Sequence, residues 1–465
     1  MIVERFTKKF IGTADFYKNV ISLALPMILQ SMITTFVSMV DNIMIGMVGT
    51  CELNGVSIAN QYTFIFNVTV FGAISGASIF GTQFFGAEDY EGQKYSFRFR
   101  IYLAIFLIIS GMILFKTFDA RLISLFLSKN NDPYLKQMTL NYGVEYIGIM
   151  IFGLIPFAIG QSYSSLAREC GETKIPMYGS LAAVGINIIL DYALIFGKLG
   201  MPCLGVAGAA IATVIAKTVE ALVVVLWTHK HKDIIKCIVG VYDSFKIPFN
   251  LTKNMILKSL PLMFNEFLWS LGVIVVAQSY SVRGLDVVAA RNITYTITDV
   301  FNVIYLQLGA SIGIILGISL GSKQYDKAKD ESNKLMFFAI VVSIILAIIV
   351  IPIAYIYPNI FNVDAHIKEL TTFYIIVQAF AMPLWSFSNA SYFVLRSGGK
   401  TGITFIFDFV YTWMILIPIA FCLTRFTNLN IYQLMIIITY TEIFKVLLGF
   451  LMVKSNIWIQ NITDY

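Results

Sequence analysis

Long, continuously apolar runs alternate with short polar connections along the chain, and this alternation sets its architecture. Twelve runs are long enough to cross about 30 Å of hydrocarbon as helix. They cover residues 18–42, 54–83, 99–117, 139–162, 175–197, 204–228, 255–282, 287–320, 335–357, 368–394, 402–424 and 430–453. A transmembrane barrel would instead alternate apolar and polar residues over strands of about ten. The expected fold is therefore all-α, a polytopic membrane protein of twelve transmembrane helices.

The longest inner connection, Thr228 to Lys258, is polar and basic and separates two sets of six runs. The two sets repeat. An offset of 235 pairs Pro26 with Pro261, Gly49 with Gly284, Gly86 with Gly321 and Tyr90 with Tyr325. An offset of 228 then pairs Arg168 with Arg396, Gly171 with Gly399, Thr173 with Thr401, Thr213 with Thr441 and Lys217 with Lys445. Because each half holds an even number of spans, the copies share one orientation and are related by a pseudo-twofold axis along the membrane normal. The expected organisation is an N-lobe (1–228), a cytoplasmic connecting loop (229–253) and a C-lobe (254–465). In such folds a substrate path runs between the lobes and opens to alternate sides.

Composition agrees. The chain is 58% hydrophobic and 13% charged, with a mean hydropathy of +0.77; a soluble domain is roughly 45 to 50% apolar. With the N-terminus inside, inner segments hold 22 Lys and Arg and outer loops 9, so both termini are expected to be cytoplasmic in a multi-pass cell-membrane protein. The first run is too long for a signal-peptide core and no small-residue cleavage site follows it, so it is expected to be retained. The net charge of +6 is this topological bias and implies no nucleic acid. Five scattered cysteines (Cys51, Cys170, Cys203, Cys237, Cys422) suggest neither a disulfide framework nor a metal site. No GxxxxGK[ST] loop and no HExxH motif occurs, and His229, His231 and His366 lie outside span interiors. An enzyme and a resident cofactor are not expected.

Ionisable side chains inside such runs are costly and mark functional or paired positions. Helix rise places Asp41, Asp191 and Thr213 at compatible depths in three spans of the N-lobe, and Asn187 shares the face of Asp191 one turn away. Two carboxylates with amide and hydroxyl oxygens suit a hard cation such as Na+; crowded carboxylates also suit a proton. The residues leave that choice open. In the C-lobe, Glu266, Asp299 and Asp408 are candidates for a cavity that meets substrate or carries a proton. Lys217 with Glu220, and Glu442 with Lys445, have the spacing of self-neutralising helix pairs. Arg168, Lys174, Arg396 and Lys400 are expected to anchor inner turns, and Gly76, Gly81, Gly313 and Gly317 to let helices approach.

The segments VDNIMIG, LARECGETKIPM, NIILDYALIFG and LGVAGAAIAT, the last followed by Lys217 and Glu220, resemble the multidrug and toxic compound extrusion (MATE) family over essentially the whole chain. The resemblance implies a V-shaped pair of six-helix lobes and cation-coupled efflux of amphipathic, often cationic, aromatic compounds. It implies a cation site at Asp41, Asn187, Asp191 and Thr213. Glu266 matches an acid that one bacterial branch carries in its seventh span. That branch also has an aspartate in its tenth span, where this chain departs with Trp385 and has Asn389 one turn later. Asp408 resembles an acid of a different bacterial branch. The expected partners are a small organic substrate, a coupling cation and the lipid bilayer, with a monomer sufficient. The competing reading is a flippase for lipid-linked saccharides, which would call for basic side chains in the cavity, whereas the mid-span charges here are mostly acidic.

Overall fold

The computed structural model describes residues 7, 9–127 and 132–463. Among them, twelve helices are long and apolar enough to cross a membrane. They are α1 (Ala14–Gly46), α2 (Thr50–Gly86), α3 (Tyr90–Ser124), α4 (Pro133–Glu169), α5 (Lys174–Phe196), α6 (Gly205–Lys230), α7 (Phe249–Ser281), α8 (Leu285–Gly321), α9 (Tyr325–Ile360), α10 (Ala365–Ser397), α11 (Thr401–Phe426) and α12 (Ile431–Lys454). The expected all-α, twelve-helix fold is observed. Several helices outrun their apolar cores: α3 begins at Tyr90, nine residues before the apolar run, and this brings Arg98 and Arg100 well inside a helix. Inside α11, Val410–Leu416 widens into a π-helical turn.

Pro26 and Pro261 lie inside α1 and α7, at matching places in the repeat. Each proline removes one helical hydrogen bond. The paired turns that follow α4 and α10 place Gly171 at φ +84° and Gly399 at φ +71°. This left-handed backbone favours glycine, so the repeat conserves a turn geometry as well as a pattern.

The residues form two compact units. The first comprises Leu25–Gly81 and Tyr90–Ile256; the second comprises Met1–Ala24, Thr82–Asp89 and Leu257–Tyr465. In the first unit, Ile45, Val56, Phe115, Ile147, Leu154, Ile195 and Val206 bring α1 to α6 around one core. A second core in that unit joins Phe97, Tyr163, Leu166 and Val224 to Ile235, Cys237, Ile238 and Val241. The last four belong to the connection after α6, so this polar, basic stretch packs as part of the unit. Its backbone is held as well: Arg98 Nε donates to the Val241 carbonyl at 2.6 Å, and its terminal nitrogens donate to Lys246 and Gly240 at 3.2 Å. Tyr102 donates to Phe245 at 2.8 Å.

Hydrogen bonds to a charged donor contribute about 1.5 to 3 kcal/mol each. Arg98→Ala is therefore expected to speed limited tryptic cleavage at Lys246 by at least about tenfold. An unchanged cleavage rate would show that the apolar contacts alone hold the connection.

The second unit pins both of its outlying segments. Val20 packs with Leu316, Leu320 and Leu335, and Tyr17 lies 4.9 Å from Phe338 between ring centres. Gln83, at the end of α2, donates to the Ser397 carbonyl at 2.9 Å and accepts from the Ile462 amide at 2.8 Å. Asn461 donates to the Leu320 carbonyl at 2.9 Å, and Trp458 is buried among the same helices.

Candidate functional site

The polar residues of α1, α5 and α6 meet inside the first unit. Asp191 is fully buried and Asn187 nearly so, one turn apart on α5. The carboxyl groups of Asp41 and Asp191 approach each other directly, and Asn187 lies beside Asp191. Two ionised carboxylates have no donor to offer one another. Consistent with this, one oxygen of Asp41, both oxygens of Asp191 and both amide atoms of Asn187 are buried without a hydrogen-bond partner in the protein.

Thr213 joins this group through Tyr146 of α4, which lies near both Thr213 and Asn60 of α2 and stands in the field of both acids. Tyr146 and Asn60 were not foreseen from the sequence. Among core-forming aromatics, Tyr146 carries no distinguishing local signal, and Asn60 is one amide in a long polar-flecked span. The charge of Lys217 acts on Asp41. That lysine pairs with Glu220 at 3.6 Å, as its helical spacing suggests, and lies 5.5 Å from the Phe157 ring.

Burying a polar atom without a partner costs about 1 to 3 kcal/mol, and more for a charge. The concentration of such atoms at Asp41, Asn187 and Asp191 therefore fits a group that supplies positive charge between them. Among the described residues no cluster of three or more His, Cys, Asp or Glu side chains could hold a metal. Two carboxylates with neutral oxygens around them match a monovalent ion or a proton better than a tightly held divalent one. The repeat does not duplicate this site: at the offset of 235, Val276 stands where Asp41 stands, and no acid occurs between Asp408 and Glu442.

The second unit carries a different polar cluster. Asp408 of α11 pairs with Lys445 of α12 at 2.7 Å and accepts from the Asn265 amide of α7 at 2.9 Å. Lys445 thus takes its close partner from another helix rather than from Glu442 one turn away, although Glu442 also acts on it through its charge. Glu266, the neighbour of Asn265, lies close to the Tyr392 hydroxyl, to which Asn265 donates at 3.4 Å, and in the field of Arg396, Asp408 and Lys445. Glu266 and Asp408 are thereby brought together. Asp299 stands apart: it is exposed, accepts from Asn302 at 3.2 Å and faces Arg291.

A further buried pair was missed from the sequence. Arg100 of α3 and Glu169 of α4 are 0% and 1% exposed and form two parallel bonds of 2.5 and 2.9 Å, with Ser78 and Ser165 also on the carboxylate. A Cβ at Gly81 would collide with the Glu169 carboxylate. Gly81 therefore makes room for an ion pair, in addition to letting helices approach.

The MatE family model matches residues 26–193 and 261–422, most of both halves. The chain belongs to the MATE family: it is a multi-pass membrane transporter and not an enzyme. It is 25% identical over 455 residues to a probable multidrug resistance protein NorM of Thermotoga maritima, covering 95% of this chain and 93% of that one. It is 26% identical over 412 residues to a probable multidrug resistance protein NorM of Halalkalibacterium halodurans, covering 84% of each. Its fold is similar to the crystal structure of the Vibrio cholerae MATE transporter VcmN in the bent form, with a TM-score of 0.81 at 17% identity, covering 96% of this chain and 99% of that one.

Proposed function

We propose that this protein is a secondary antiporter that exports amphipathic, often cationic, organic compounds in exchange for Na+ or H+ by alternating access. The carrying observation is the facing pair Asp41 and Asp191, buried with oxygens that no donor in the protein satisfies. Asn187 and Thr213, with Tyr146 and Asn60, complete the surroundings of a bound cation. Relatives named as multidrug resistance proteins support the substrate class. No nucleotide loop is present in the sequence, so an ion gradient drives the cycle. One charge crossing 100 mV supplies about 2.3 kcal/mol.

Glu266, with Tyr392 beside it, supplies negative charge to a cationic substrate or takes up a proton. The exposed Asp299 meets substrate from water. The protein acts as a monomer in the cell membrane, and the excess of Lys and Arg in alternate connections supports cytoplasmic termini.

The test is uptake of a fluorescent lipophilic cation into inside-out proteoliposomes under an imposed Na+ gradient, an imposed proton gradient, or neither. Uptake driven by one gradient establishes antiport and names the ion. If neither gradient moves any of several dyes in folded preparations, drug efflux is wrong and lipid-linked substrates become the reading to pursue.

A further inference from the structure

The repeat places two related polar networks in the two units, and they differ in where the acid sits. In the first unit, Arg168 of α4 donates to the Gln30 side chain of α1 at 2.8 Å, and Gln30 donates to Ser180 of α5 at 2.9 Å. Ser180 donates to Glu220 of α6, which also pairs with Lys217 one turn away. The offsets of 235 and 228 map Gln30 to Asn265, Arg168 to Arg396, Ser180 to Asp408, Lys217 to Lys445 and Glu220 to Leu448. The lysine is kept in both halves. Its carboxylate has moved from its own helix to the neighbouring one.

The move changes what the acid can do. Asp408 has the Lys445 ammonium on one oxygen and the Asn265 amide on the other. Lys445 in turn lies 5.3 Å from the ring centres of both Phe407 and Tyr411. An ion entering from solution would have to displace a covalently tethered ammonium and leave it with only the more distant Glu442 and Glu266 to offset its charge, which is unfavourable. Building on the antiport reading above, we propose that Lys445 is an internal counter-cation for Asp408. Asp408 then binds neither coupling ion nor substrate, and instead clamps α7, α11 and α12 together. The Asp41 and Asp191 pair has no such tethered partner, so exchange with the gradient belongs to the first unit.

The proposal is tested by moving the acid back. Asp408→Asn takes from the Lys445 ammonium its one close carboxylate and is expected to lower gradient-driven dye uptake by about tenfold or more, with a fall in thermal transition temperature. Asp408→Ser with Leu448→Glu rebuilds the arrangement of the first unit and is expected to return uptake to within about threefold of the parent, at an unchanged ratio of ions to dye. Asp408→Asn with Lys445→Met removes both charges and is expected to do the same, so a relocated acid that fails to fold does not leave the matter open.

If the double variants that fold stay as impaired as Asp408→Asn, or lose one ion from the transport ratio, the carboxylate at 408 is itself a ligand and the proposal falls. Normal transport by Asp408→Asn would overturn it too. Failure of antiport itself would show in the parent protein under both gradients, and the thermal transitions read the Lys445 compensation without any transport.

Discussion

Glu169→Gln is expected to destabilise the protein by about 3 to 5 kcal/mol, because it leaves the Arg100 guanidinium buried without its counter-charge. The pair is fully enclosed: both side chains are almost unexposed, and Ser78 and Ser165 complete the carboxylate's hydrogen bonds. The measurement is the thermal transition of the purified protein in one detergent, compared with the parent. The second half of the chain contains the control. At the same offsets it carries Leu316, Leu335 and Ser397 where the first half has Gly81, Arg100 and Glu169, and those two leucines lie in an apolar core. Replacing a buried ion pair by packed apolar groups of similar volume is often neutral. Gly81→Leu, Arg100→Leu and Glu169→Ser combined are therefore expected to cost less than Glu169→Gln alone. If Glu169→Gln melts with the parent, the pair contributes nothing to stability.

The second large effect is on coupling. A unit charge about 4 Å from a cation contributes about 4 kcal/mol at the effective dielectric of a protein site. Asp41→Asn should thus weaken cation binding by roughly a thousandfold and bring ion-driven uptake to the level of empty vesicles. Asp191→Asn should do the same, since the two carboxylates face one shared position. Dye exchange down its own gradient is expected to outlast ion-driven uptake in both variants. Uptake by Asp41→Asn at the parent's rate, under the gradient that drives the parent, would remove the acid pair from the coupling site.

The twelve spans and the repeat were legible because membrane helices must be apolar all round, so run length alone reports them. The meeting of Asp41 with Asp191 was legible for a similar reason: depth follows from residue count along a straight helix. What local counting cannot supply is azimuth and partner. Lys445 and Glu442 have the spacing of a helix pair, yet the closer acid is on another helix. Arg100 stands at the edge of an apolar run, where residue counting assigns it no partner. It became a core residue only because α3 begins nine residues before that run. Tyr146 and Asn60 were invisible because hydroxyl and amide groups in a membrane span carry no charge to draw attention.

The connection after α6 reads in the sequence as a polar, basic connecting loop, and the structure shows it bonded by Arg98 and Tyr102 as far as Lys246. This bears on where the gene can be divided. A break within 232–245 would expose half of a packed segment on each fragment, whereas a break between Lys246 and Ile247 leaves every carbonyl gripped by Arg98 on one polypeptide and α7 whole on the other. Two co-expressed fragments joined at that point are the natural design for a split transporter, and the same point is the place to graft a fluorescent reporter.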